Sequence, residues 1–241
     1  MLNVLQLARR AAARVGLEPP ETIINESITA IRLKDDLELV GQDLVRKNNA
    51  FGSGWTILTR EYRFTTVAGR GDYPLPSDYN RIVNDTVWPV DVFYKALGNL
   101  SPQEWQFQRN SVAANIHLAP YYRFRAVNGA INFSLYPVPT SSEEFIMEYV
   151  SNNWLRDTND ELKAYITKDD DVSIFSDDLV KRGLIWRFLK TVGYNYSTEI
   201  ADWETHLDKE LAADTGKRAI TIGKGGITER RDIYPEVITA S

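Results

Sequence analysis

The stretch Tyr121-Tyr-Arg-Phe-Arg-Ala-Val-Asn-Gly-Ala-Ile-Asn-Phe-Ser-Leu-Tyr136 predicts a β-hairpin. Two runs rich in aromatic and β-branched residues, 121–127 and 131–136, flank the dipeptide Asn128-Gly129. A two-residue type I′ turn needs positive φ at both central positions, and Asn-Gly is the pair that adopts it most readily. The centre of the chain is therefore expected to be built from antiparallel strands.

Working outward, the hairpin lies in a long region of strand and turn composition. Residues 51–150 are rich in Tyr, Phe, Trp, Val, Ile and Thr, with Pro and Gly between the apolar runs. Further extended segments are predicted at residues 55–67, 81–88 and 145–150. The prolines in Tyr73-Pro-Leu-Pro76 exclude this segment from a central strand, because neither can donate a ladder hydrogen bond.

One short helix is predicted inside this β region. Ser101-Pro102-Gln103-Glu104 has the form of a capping box with proline at the first helical position. The Ser101 side chain and the Glu104 side chain can each satisfy one of the free amides at the helix start. The helix is expected to end near Asn110.

Amphipathic helices flank the β region on both sides. Period-3.6 stripes predict helices over residues 4–15, 27–48, 176–192 and 198–213. The third of these carries apolar residues around most of its circumference, so it must be buried on most sides. Its own domain or a neighbouring subunit could supply the cover. Its candidate subunit-interface residues are Trp186, Phe188 and Leu189.

Together these elements predict an α+β fold. Residues 1–50 and 176–216 form a helical bundle from the N- and C-terminal helices, and residues 51–175 form a central inserted antiparallel β domain. Residues 217–241 have neither period and are predicted to be an extended C-terminal arm that becomes ordered on a partner. The apolar residues that would bind this partner are Ile220, Ile222, Ile227, Ile233, Tyr234 and Val237.

Composition excludes several classes of protein. The chain has 241 residues and no Cys, which rules out disulfides and thiolate metal sites. No apolar run reaches the roughly 18 residues that a membrane-spanning helix needs. The formal net charge of −5 argues against a surface that grips nucleic acid, since phosphate binding requires clustered Lys and Arg.

The residues offer little material for catalysis, so the protein is predicted not to be an enzyme and to need no metal or cofactor. His117 and His206 are its two histidines, and they have no metal-ligand spacing. Asp169-Asp-Asp171 lacks the pattern of a calcium loop and is predicted to be a solvated acidic loop. A glycosidase pair among Glu143, Glu144, Asp157, Asp160 and Glu161 is a minor alternative.

Several short motifs follow one another along the chain. They are Leu7-Ala-Arg-Arg-Ala-Ala-Ala-Arg-Val-Gly-Leu-Glu-Pro-Pro20, Leu58-Thr-Arg-Glu61, Phe64-Thr-Thr-Val-Ala-Gly69, Asp72-Tyr-Pro-Leu-Pro-Ser-Asp-Tyr79, Arg81-Ile-Val-Asn-Asp-Thr-Val-Trp88, Leu100-Ser-Pro-Gln-Glu-Trp105 and Glu148-Tyr-Val-Ser-Asn-Asn-Trp154. Their order resembles the tail tubular protein A-like adaptor subunits of short-tailed bacteriophages. The resemblance covers about residues 3–212.

This resemblance implies a virion structural protein that is assembled in the host cytoplasm. Such adaptors form a ring, typically of twelve copies, between the portal and the tail nozzle, and tail fibre proteins are possible further partners. DNA passes through the lumen without sequence-specific binding, and the acidic balance of this chain predicts a lumen that repels phosphate. Alternatives are another neck or head-completion protein, a carbohydrate-binding module or a peptidoglycan-cleaving module.

Overall fold

The computed structural model describes residues 1–24, 27–48, 54–90, 92–110 and 119–214. Over these ranges the chain has an α+β fold, as predicted. The helices are α1 (Val4–Arg14), α2 (Ile28–Arg46), α3 (Pro102–Asn110), α4 (Asp177–Val192) and α5 (Ser197–Asp214). The predicted arm at 217–241 lies outside the described residues, as does His117.

Ten strands lie between α2 and α4. They are β1 (Thr59–Thr65), β2 (Asp72–Pro74), β3 (Tyr79–Ile82), β4 (Trp88–Pro89), β5 (Tyr121–Val127), β6 (Ala130–Tyr136), β7 (Glu144–Ser151), β8 (Leu155–Arg156), β9 (Leu162–Lys163) and β10 (Val172–Ser173). A short 3-10 turn at Thr56–Leu58 precedes β1. All the strand pairings are antiparallel.

The helical part of the molecule is organised around α4, which packs against α1, α2 and α5. Ser176 caps its start by accepting a hydrogen bond from the Leu179 amide, and Gly193 ends it with a φ of 81°. Because three helices surround it, the broadly apolar surface of α4 is covered by its own chain.

Two sheets face each other in the β region. One contains β1, β7, β3 and β4, and the other has the order β2-β6-β5. Phe64 and Phe145 of the first sheet share one buried cluster with Tyr73 and Phe133 of the second. The predicted hairpin is confirmed as β5–β6, with positive φ at both Asn128 and Gly129.

A third sheet, formed by the short strands β8, β9 and β10, belongs to the helical core. Trp154, Leu155 and Phe175 are buried in the same cluster as the side chains of α1, α2 and α4. Gly41 of α2 faces the Trp154 indole so closely that a Cβ there would overlap the ring. The end of the β region is thereby fixed to the helices, while the predicted domain division at residue 175 stays a prediction.

The single strand predicted over 81–88 is wrong. The structure has two short strands, β3 and β4, which pair with different parts of β7. Between them Asp85 has a φ of 63°, and the Thr86 hydroxyl lies 2.6 Å from the Val83 carbonyl oxygen and accepts from the Glu148 amide at 3.1 Å. A side-chain hydroxyl thus replaces a ladder partner and interrupts the strand.

Candidate interaction surfaces

The three residues predicted to contact another subunit lie at different depths in the bundle. Trp186 and Phe188 are buried, with 6% and 4% of their surface exposed, whereas Leu189 is half-buried. The Trp186 ring lies 5.6 Å from the ring of Trp203 in α5. Their own helices therefore cover Trp186 and Phe188, and a role for the three residues in a subunit contact stays a prediction.

A polar network joins the start of α4 to α5. His206 Nε2 lies 3.5 Å from an Asp178 oxygen and 3.4 Å from a Glu210 oxygen, and the Ser176 hydroxyl donates to Glu210 at 3.1 Å. Lys181 and Arg182 hold the pKa of Asp178 at about 2 by hydrogen bonding. Because Ser176 is already the cap of α4, this network is a structural link between the helices.

The prediction of a solvated loop at residues 169–171 is wrong for Asp171. That side chain is fully buried, accepts from the amides of Thr167 and Lys168 at 2.9 and 3.0 Å, and pairs with Lys163 at 2.6 Å. The Asp171 carbonyl accepts from the Val4 amide at 2.8 Å. Residue 171 is therefore part of the framework that holds the start of α1.

The two neighbouring aspartates reinforce this contact. The Asp169 carboxylate accepts from the Ile23 amide at 3.0 Å, and the Asp170 carboxylate accepts from the Asn3 side chain at 3.1 Å. Each acid in the loop thus has a partner in the N-terminal segment or in the loop itself.

The other carboxylates considered for catalysis are also in structural contacts. Glu143 accepts from the Ser141 hydroxyl at 2.9 Å, and Glu144 lies 3.7 Å from a guanidinium nitrogen of Arg63. In the part of the chain that the structure describes, no group of three or more His, Asp or Glu side chains is placed to hold a metal ion.

Two pairs of charged residues face solvent on different helices of the bundle. Arg10 and Arg14 are exposed on α1 and line a groove of about 380 Å³ with Asp178, Lys181 and Arg182. Glu204 and Asp208 are exposed on α5. None of these four residues forms an ion pair within the described ranges.

Apolar side chains are also exposed on several elements. On α2, Ile28 is 69% exposed, and Ile31 and Leu39 lie on the same side of that helix. Phe93, in the loop after β4, is fully exposed. Other exposed apolar side chains of the β region include Val67, Trp88, Tyr94, Leu97, Phe107, Ile131 and Val138. Single exposed apolar residues are common, so the side of α2 that groups Ile28, Ile31 and Leu39 is the better candidate for a partner surface.

The end of α5 provides a further apolar surface. Asp214, the last described residue, accepts from the Thr56 amide at 2.6 Å, which fixes the end of α5 to the 3-10 turn before β1. Beside it lies a groove of about 210 Å³ whose apolar walls include Trp55, Ile57 and Phe175. The six apolar residues predicted to bind a partner, from Ile220 to Val237, lie outside the described residues.

A family model described as SU10 adaptor protein matches residues 2–224. The chain belongs to that family. No curated protein matches the chain significantly.

Membership makes the molecule a phage adaptor, which is a structural protein of the virion. The resemblance of the sequence to phage adaptors is confirmed. The family implies interaction with portal and tail proteins of the phage, which makes the exposed apolar and charged surfaces candidates for these contacts. No helix in the described ranges is both long and apolar enough to cross a membrane.

Sequence reasoning did not find these surfaces. The charges of Arg10, Arg14, Glu204 and Asp208 look in the sequence like the polar side of any amphipathic helix. Only the structure shows that these residues lack ion-pair partners while neighbouring charges, such as Asp178 and Arg182, are paired.

Proposed function

We propose that this adaptor forms a ring of about twelve copies between the portal and the tail nozzle, and that genomic DNA passes through the ring. The match of residues 2–224 to the adaptor family is the observation that carries the proposal. The grouped exposed side chains of Ile28, Ile31 and Leu39 on one side of α2 support it, because a group of neighbouring apolar residues suits a partner contact better than single scattered ones do. A ring is the closed arrangement that a head-to-tail contact produces.

Native mass spectrometry of the full chain mixed with its portal tests the ring. We expect a complex with a fixed number of adaptors on each portal oligomer, and cryo-EM of the virion neck should show the adaptor layer directly above the nozzle. A single adaptor on each portal oligomer, or a position elsewhere in the virion, would contradict the proposal. The second outcome would favour another neck or head-completion role.

The passage of DNA requires a ring whose lumen does not bind phosphate tightly. The chain has 33 Asp and Glu residues against 28 Lys and Arg, so its average surface repels phosphate and lets DNA slide without being held. The neck map should therefore show a lumen lined mainly by acidic and neutral side chains. A lumen lined mainly by Lys and Arg would overturn this part of the proposal.

The C-terminal arm is the proposed portal contact, with a neighbouring adaptor subunit as the other candidate partner. Residues 217–241 combine Ile220, Ile222, Ile227, Ile233, Tyr234 and Val237 with polar residues, and the chain enters them from the anchored end of α5. A segment of this composition gains most of its buried area from a partner surface. Tail fibre proteins could attach to the ring from the outside, and assembly would take place in the host cytoplasm.

A further inference from the structure

The outer side of α1 presents two positive charges that have no ion-pair partner among the described residues. Arg10 and Arg14 are one helical turn apart and exposed, and α1 contains three arginines and no acidic residue. The third arginine, Arg9, is engaged, since it donates to the carbonyls of Pro20 and Glu21 at 2.9 Å. The groove beside Arg10 and Arg14 adds Lys181 and Arg182, with Asp178 as the one acid in its lining.

The outer side of α5 presents two unpaired negative charges with the same spacing. Glu204 and Asp208 are one helical turn apart and exposed, and α5 contains six acidic residues and one lysine. These two residues lie on a different side of α5 from His206, which faces Asp178 of α4. The acidic pair is therefore remote from the groove that holds the basic pair.

We propose that Arg10 and Arg14 of one subunit form ion pairs with Glu204 and Asp208 of the next subunit in the ring. This inference rests on the proposed function. Residues four apart on a helix are separated by about 6 Å, so the basic and acidic pairs match in spacing and can form two bridges at once. The two surfaces differ, so the contact is head-to-tail and repeats from copy to copy until the ring closes.

The opposite charges of α1 and α5 favour a second copy of this chain over DNA as the occupant of the basic groove. Both halves of the contact are present in the same subunit, so each copy satisfies the charges of two neighbours. A single exposed ion pair adds little to affinity. Like charges placed opposite each other, however, strongly disfavour a wrong arrangement of the subunits. Their role is therefore to set the register and direction of subunit packing.

Charge reversal tests the contact. The variant R10E/R14E places acids opposite acids, and E204R/D208R places bases opposite bases. For each variant alone, the association of subunits on the portal should be weaker than in the wild type by a factor of roughly ten or more, as measured by native mass spectrometry. The matched control is R109E/K168E, which changes the same number of exposed charges elsewhere and should assemble like the wild type.

Rescue separates a direct contact from a general loss of stability. An equimolar mixture of the two reversed variants should assemble again, because every interface then joins opposite charges, and so should the quadruple variant. If R10E/R14E assembles normally but retains DNA less well at low salt, the basic groove binds phosphate and this proposal fails while the ring stands. If neither the mixture nor the quadruple variant is rescued, the contact is also wrong. If the wild type itself forms no ring, the proposed function fails.

Discussion

At the scale of single residues, stability depends on a few buried side chains at helix contacts. Trp186 joins α4 to α5, and Asp36 joins α2 to α4 through the hydroxyl of Thr191 at 3.0 Å. Trp186 is an apolar contact with an unpaired indole N–H, and Asp36 is a buried carboxylate with one oxygen that lacks a partner. These two residues therefore make opposite contributions to the free energy of unfolding.

Replacing Trp186 by alanine should lower the free energy of unfolding by roughly 3–5 kcal/mol, because the large buried ring leaves a cavity between α4 and α5. Urea unfolding followed by circular dichroism measures the loss. Trp186→Phe, which keeps an aromatic ring and gives up an unsatisfied N–H, should cost much less. A loss below about 1 kcal/mol for the alanine variant would show that the indole is not packed as described.

Asp36→Asn should stabilise the protein at neutral pH. Burial raises the pKa of the Asp36 carboxyl above its ordinary value, so the folded state binds the proton more tightly than the unfolded state does. The charged carboxylate therefore lowers the free energy of unfolding. This penalty grows as the pH rises from the ordinary Asp range through the raised folded pKa, is complete above that pKa, and is absent below the ordinary Asp range. When the free energy of unfolding is measured as a function of pH, the asparagine variant should have the higher value at pH 7. The two proteins should have the same value in acid. A wild type that is the more stable at pH 7 would contradict this.

At the scale of elements, the connection between β7 and α4 fixes the helices to the sheets. Trp154 lies against Gly41 of α2, and Asp171 holds the loop that receives the start of α1. Neither contact has a local sequence signal, since its partners come from remote parts of the chain.

Gly41→Ala should destabilise the protein by about 1–3 kcal/mol, because its methyl group would overlap the Trp154 ring. The sign of the effect is diagnostic, since at an open position inside a helix the same change stabilises by roughly 1 kcal/mol. Thermal or urea unfolding gives the comparison. The effect of the added methyl should shrink in a Trp154→Phe background, and equal effects in both backgrounds would place the clash elsewhere.

Asp171→Asn should cost roughly 1–3 kcal/mol, because the amide side chain cannot serve both backbone donors and Lys163 as the carboxylate does. The neighbouring Asp170→Asn is the control and should change stability by less than about 0.5 kcal/mol, since Asp170 accepts one exposed hydrogen bond. Equal losses for the two variants in urea unfolding would show that Asp171 is solvated after all.

The elements that could be predicted from the sequence are those with a local physical cause. The capping box at Ser101 and Glu104, the Asn128-Gly129 turn and the amphipathic stripes all lie where the sequence places them. Strands β8, β9 and β10 are two residues long each and exist only because the helical core covers them, so no periodic pattern marks them. The candidate surfaces could be recognised only in the structure, because the sequence does not show which charged side chains have an ion-pair partner.

At the scale of the whole molecule, we expect the C-terminal arm to be separable from the folded subunit. Truncation before Ile220 should leave the unfolding transition unchanged, because residues 217–241 have neither helical nor strand periodicity and are expected to add little to a core. The same truncation should weaken attachment to the portal in a pull-down assay, with R109E/K168E as a full-length control. Unchanged portal binding would refute the portal role of the arm, and a loss of ring assembly instead would assign it to the neighbouring subunit.

The position of α1 has a consequence for how the polypeptide is made. Its first amide, that of Val4, donates to the Asp171 carbonyl, and the Leu2 amide just before the helix donates to the Asp177 carboxylate at 3.0 Å. The apolar side of α1 packs against α4. The eleven residues of α1 therefore leave the ribosome long before the residues of α4, against which they pack, have been synthesised. Closing so large a loop is slow, whereas the sandwich of β1–β7 can be complete when residue 151 emerges. The nascent chain thus carries a finished sheet region while α1 waits for the synthesis of residues 171–192.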